Sequence, residues 1–135
     1  MSGDNLKSHT VGWIGTGKMG YPMAGLLIAA GADVKVYNRT AAKAEPLGVE
    51  VVGKPSDLAD RDIVFTIVTD DTAIREMITG PDGVLSGASL PKIISDSSTI
   101  SIETSKDMRA ACEAKGVMFL ATPISGNGHA VAAGK

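Results

Sequence analysis

The chain has 135 residues, 44% of them hydrophobic, enough to fill one ordinary globular domain with its own core. Its 13 basic and 15 acidic residues leave a formal charge of −2 and are spread along the chain, so neither nucleic acid nor an anionic membrane is expected as a partner. A single cysteine, Cys112, excludes an internal disulfide; it falls within a helical pattern, which points to core packing rather than chemistry. No metal site is expected. The first ten residues, MSGDNLKSHT, have no apolar core flanked by basic residues, and no run approaches the roughly 18 apolar residues of a membrane span. A cytoplasmic, reducing location is therefore the default expectation, with residues 1–9 as a flexible segment.

Strand-length apolar runs alternate with helix-length segments, the pattern of a parallel sheet covered by helices. Residues 11–14 read as the first strand. A glycine-rich turn leads into a helix to about Ala30, with Pro22 in its first turn and Gly31 as its stop. Residues 33–37 form the second strand and 49–52 a short third. Ser56 is a candidate cap for a one-turn helix before the strongly apolar 62–68, a buried central strand. Asp70 or Asp71 then caps a helix ending near Gly80, and the turn-rich GPDGVLSGASLPK leaves room for one helical turn. Residues 92–95 supply another strand. Residues 101–115 have helical spacing of Ile102, Met108 and Cys112, with Gly116 just beyond, and 117–120 make a sixth strand.

The turn after the first strand carries Gly15, Gly17 and Gly20, a GxGxxG. That motif is common by chance. Here it follows an apolar strand and opens a helix, and a second strand ends roughly 20 residues further on, as a dinucleotide site requires. Gly15 permits the tight turn, Gly17 leaves space for a pyrophosphate, and Gly20 lets helix and sheet approach closely. The N–H groups around Lys18 and Met19 would then face the phosphates at the positive end of the helix, with Thr16 also among the cofactor-binding residues. An NAD site is expected to place an acid at the end of the second strand. This chain has Asn38-Arg39-Thr40 there. Asn38 does not repel a 2′-phosphate, Arg39 can pair with it and Thr40 can donate a hydroxyl, so NADP is expected in preference to NAD.

VGWIGTGKMGYPMAGLL followed by VYNRT, ISDSSTISIETSK at 94–106, and FLATPISG at 119–126 together resemble the β-hydroxyacid dehydrogenases, the group that includes 3-hydroxyisobutyrate dehydrogenase. The resemblance runs from Val11 to about Gly134. It implies a Rossmann-type, doubly wound α/β fold with a mainly parallel sheet of about six strands and helices on both faces. It further implies a reversible hydride transfer between a nicotinamide cofactor and a short 3-hydroxy acid or the corresponding semialdehyde. By position Val68 and Thr69 would lie against the cofactor, Thr99 beside the nicotinamide, and Ser125, Gly126 and Asn127 on the substrate carboxylate. The chain departs from the family pattern at Ala121-Thr122, where an aspartate is usual, and at Asn127, where a second glycine is usual. His129 has no role in the family.

The family's catalytic lysine and its all-helical second domain would lie beyond residue 135, and Lys135 does not match that lysine. Residues 10–135 are thus expected to be the cofactor domain of a longer, homo-oligomeric enzyme, inactive as a reductase alone because half a cleft cannot hold donor against acceptor. An imine reductase, which shares the glycine turn and Asn-Arg-Thr, and a non-catalytic NADP-binding or interaction module are the alternatives. The DSSTIS and PISG segments argue against the imine reductase.

Overall fold

The structure is a computed structural model, and it describes residues 10–17, 20–68, 70–98 and 100–121. Five strands form one parallel sheet: β1 (Thr10–Ile14), β2 (Asp33–Tyr37), β3 (Ile63–Thr66), β4 (Ile93–Asp96) and β5 (Met118–Ala121), in the order β2-β1-β3-β4-β5. The crossovers carry α1 (Gly20–Ala29), α2 (Asp71–Thr79) and α3 (Ile102–Ala114). From β1 the chain goes to β2 on one side and then returns to β3 on the other. The point where the strand order reverses therefore lies between β1 and β3.

Alternation along the strands sends side chains to two cores. Val11, Trp13, Val34 and Val36 pack with Ala24 of α1 on one face, where the Trp13 and Phe65 rings lie 5.3 Å apart. Ile14, Val64, Ile94 and Phe119 face the opposite way, onto Ile74, Met77 and Ile78 of α2 and Met108 and Cys112 of α3. Helices thus cover both faces, and the doubly wound parallel architecture is the observed one.

Local signals account for most boundaries. Asp70 caps α2 by accepting from the Ala73 N–H at 2.8 Å, whereas Asp71 accepts from the Ser101 N–H at 2.9 Å and so joins the starts of α2 and α3. Hydrogen bonding from Ser101 holds the Asp71 carboxyl below the usual aspartate range. Ser101 caps α3 through the Thr104 N–H at 3.1 Å. At the other end of the sheet Thr10 and Asp62 exchange two hydrogen bonds, and the buried Arg61 guanidinium reaches the Asp33 carboxylate at 2.7 Å.

Three expectations need correction. The strand expected at 49–52 is reduced to one parallel bridge from Val51 to Val36, made by Val36 N–H to Glu50 carbonyl and Val52 N–H to Val36 carbonyl. Gly48 and Gly53 bracket the segment and leave too few residues to extend the ladder. The turn at Pro55–Leu58 has no side-chain cap; Pro55 starts it after Lys54, and Ser56 lies inside. The buried stripe of α3 is Thr104, Met108 and Cys112, four residues apart, while Ile102 at the first position stands 76% exposed. Among the described residues no helix is long and apolar enough to cross a membrane.

Cys112 is fully buried, and burial, with help from Glu113, pushes its thiol up to about 11. The native chain at about pH 8 is therefore expected to resist a thiol-specific reagent and to react only upon unfolding. Stoichiometric labelling of the folded chain within minutes would contradict this.

Candidate functional site

The site is built at the strand-order reversal, from the loops at the ends of β1, β2 and β3. Gly15 has φ +103°, and a Cβ there would overlap the Ile67 carbonyl oxygen. A Cβ on Gly20 would in turn overlap the Gly15 carbonyl oxygen, so α1 starts pressed against the turn. Three bonds set the position of that turn. The buried Trp13 Nε1–H donates to the Gly15 carbonyl at 2.7 Å, the Gly15 N–H donates to the Tyr37 carbonyl at 3.1 Å, and the Thr16 N–H donates to Asn38 Oδ1 at 3.0 Å. Asn38 Nδ2 donates to the Thr40 carbonyl at 2.9 Å. Asn38 thus uses its carbonyl on the glycine turn and its amide on the loop after β2.

A cleft of about 270 Å³ opens here. Gly15, Thr16 and Gly17 line it on one side, Asn38, Arg39, Thr40 and Lys43 on another, and Ile67, Val68, Ala73 and Met77 supply apolar wall. A Cβ on Gly17 would meet nothing within 4 Å among the described residues, so the bare backbone faces open space there. Thr16 is buried, and its Oγ1 has no hydrogen-bond partner among the described residues. A buried hydroxyl without a partner beside a bare glycine backbone fits a phosphate-bearing ligand, which would accept from both.

The loops after β3 and β4 are tied together by a second network. Thr66 Oγ1 and the Ser98 N–H both donate to Asp96 Oδ1, at 2.7 and 3.2 Å, and the Val68 N–H donates to Ser98 Oγ at 2.8 Å. Burial raises the Asp96 carboxyl above its ordinary value of 3.8, with the Thr66 and Ser98 bonds opposing the shift. The network sets the position of Val68 at the cleft.

Of the residues expected at the site, Gly15, Thr16, Gly17, Asn38, Arg39, Thr40 and Val68 share the cleft. Gly20 lies behind it as a packing contact. Lys18, Met19, Thr69, Thr99, Ser125, Gly126 and Asn127 lie outside the described residues. Lys43 is absent from the sequence-based expectation, although RTAAK carries a signal: the short turn at Ala41–Lys43 brings a second cation to the cleft beside Arg39. The Arg39 guanidinium lies 3.5 Å from the Glu76 carboxylate of α2, a loose pair with both side chains mostly exposed. No cluster of three or more His, Cys, Asp or Glu suited to a metal occurs among the described residues.

Asn38→Ala is expected to lose both bonds, each worth about 0.5–1.5 kcal/mol. It should lower stability in urea unfolding by about 1–2 kcal/mol; no change would show that the turn holds itself. Asp96 gives a pH test. Its raised folded pKa means that its contribution to stability is complete below the ordinary aspartate value and is lost as the pH rises through the raised one. Measured by unfolding at about pH 3 and about pH 7, the stability of wild type relative to Asp96→Asn should fall with rising pH; a rise would contradict the assignment.

Residues 10–135 match the family described as the NAD-binding domain of 6-phosphogluconate dehydrogenase. The chain is 34% identical over 128 residues to glyoxylate/succinic semialdehyde reductase 2, chloroplastic, of Arabidopsis thaliana, covering 92% of this chain and 36% of that one. Among solved structures, 3-hydroxyisobutyrate dehydrogenase of Mycobacterium tuberculosis with L-serine superposes at TM-score 0.81 and 30% identity, over 93% of this chain and 43% of that one. Psf3 in complex with NADP+ and 2-OPP superposes at TM-score 0.83 and 30% identity, over 93% and 46%. The chain spans less than half the length of the curated relatives it matches.

Proposed function

The chain belongs to the NAD-binding domain family of 6-phosphogluconate dehydrogenase, with 3-hydroxyisobutyrate dehydrogenase-like oxidoreductases among its relatives, and from that premise we propose that its cofactor is NADP(H). The reaction proposed for the whole protein is hydride transfer between NADP(H) and a short 3-hydroxy acid or the corresponding semialdehyde. The carrying observation is the rim of the cleft: Asn38, Arg39, Thr40 and Lys43 bring two cations and no carboxylate to the end of β2, beside a bare glycine turn. The NADP+ complex of Psf3 supports the same choice by similarity.

On this reading Gly17 and the Thr16 hydroxyl, which has no partner among the described residues, receive the pyrophosphate, the latter as a donor. Arg39 and Lys43 face the 2′-phosphate, a dianion that a carboxylate in the position of Asn38 would repel. When bound, the cofactor supplies or accepts the hydride. The wall of Ile67, Val68, Ala73 and Met77 excludes water from its rings. We assign Thr69 and Thr99 to the nicotinamide end, and Ser125, Gly126 and Asn127 to the substrate carboxylate. A further helical domain would complete the substrate cleft.

Arg39→Ser tests the cofactor. A charge-assisted contact is worth roughly 1.5 kcal/mol at an exposed rim, so NADPH should bind about tenfold more weakly and NADH nearly unchanged. Equal weakening of both by titration would remove the basis of the NADP assignment.

A further inference from the structure

The end of β2 lacks the carboxylate that would recognise an unphosphorylated ribose, yet the folded chain brings one to the same rim from elsewhere. Glu76 lies 37 residues after Arg39 in sequence, on α2, and its Oε2 is 3.5 Å from Arg39 Nη2. Its position is not accidental to a mobile side chain alone, because its helix is locked into the core on either side: Ile74, Met77 and Ile78 are buried, and Met77 lines the cofactor cleft itself. The backbone of Glu76 is therefore held beside Arg39, and only its side chain is free to turn.

We propose that Glu76 is a specificity-determining residue that holds Arg39 in the absence of a 2′-phosphate and competes with that phosphate for it, so limiting the preference for NADP over NAD. The inference rests on the proposed role of Arg39 in binding NADP(H). The pair is loose and its partners are 69% and 60% exposed, so it is weak enough to open for a dianion. Opening it is still a cost that NADPH bears and NADH does not. A neighbouring cleft of about 250 Å³, lined by Tyr37, Lys54, Glu76 and Asp82, gives the Glu76 carboxylate space to turn when Arg39 leaves it. Glu76 acts through Arg39 and is a positioning residue, not a catalytic one.

The test measures NADPH and NADH dissociation constants for the full chain and for Glu76→Gln, Arg39→Ser and the double variant. Glu76 is exposed, and glutamine keeps its shape without its charge, so folding should be unaffected. Glu76→Gln is expected to tighten NADPH about threefold, the scale of an exposed ion pair, to leave NADH unchanged, and to lose most of that gain when Arg39 is already serine. An inert Glu76→Gln, equal tightening of both cofactors, or the full gain in the Arg39→Ser background overturns the inference while a selective Arg39→Ser loss leaves the NADP reading standing. Equal loss of both cofactors in Arg39→Ser overturns that reading and this inference together.

Discussion

A side-chain carbon on Gly15 would occupy the place of the Ile67 carbonyl oxygen, so the turn after β1 exists only because the backbone leaving β3 can close over it. This contact couples the two strands that flank the strand-order reversal. Ile67 N–H donates to the Ile14 carbonyl at 2.9 Å, which continues the β1–β3 ladder up to the contact. Everything else at the cleft is arranged around a turn held in this way. Trp13 fixes its carbonyl from the α1-side core, Tyr37 and Asn38 fix its N–H groups from β2, and Gly20 lets α1 begin directly behind it. The bare backbone of the turn is thereby held in one conformation by the protein's own bonds, so a ligand meeting it need not order it.

The same preorganisation extends to the loops after β3 and β4. Asp96 is buried at the end of β4, where a carboxylate is unfavourable, and it is tolerated because Thr66 and Ser98 donate to it. Ser98 accepts in turn from Val68, so the polar network ends in the wall of the cleft. Charge is used differently at the rim. Among the described residues Arg39, Lys43 and Glu76 are held by no buried network, and the outer rim is the part of the site most easily changed by substitution without loss of the fold.

Much of this is legible in the sequence because it depends on local chemistry. The limits of β2 at 33–37, a helix cap at Asp70 or Asp71, and the tight turn at Gly15 and close packing at Gly20 follow from residue type and spacing. The illegible part depends on partners distant in the chain. Asn38 reads in sequence as a neutral neighbour of a phosphate, whereas its side chain joins the loops after β1 and β2, 22 residues apart. Residues 49–52 have strand composition but only one available neighbour, the outer edge of β2, and contribute a single bridge. Ile102 matches the helical period and is exposed, because the phase of α3 is set by Thr104, Met108 and Cys112 against β4 and β5. Glu76 cannot be connected to Arg39 without knowing that α2 packs beside the end of β2.

The central claim is that the glycine turn receives the phosphates of a nicotinamide dinucleotide, and Gly17→Val tests it most directly. Among the described residues nothing lies within 4 Å of a Cβ at Gly17, so the substitution should leave the fold intact while filling the space assigned to the pyrophosphate. Trp13 is the chain's single tryptophan and lies directly beneath the turn, so its fluorescence reports both outcomes: energy transfer to bound NADPH and the integrity of the core. Saturable, equimolar quenching by NADPH is expected in the wild type, and none in Gly17→Val despite an unchanged unfolding midpoint. Equal NADPH affinity in the folded variant would contradict the claim.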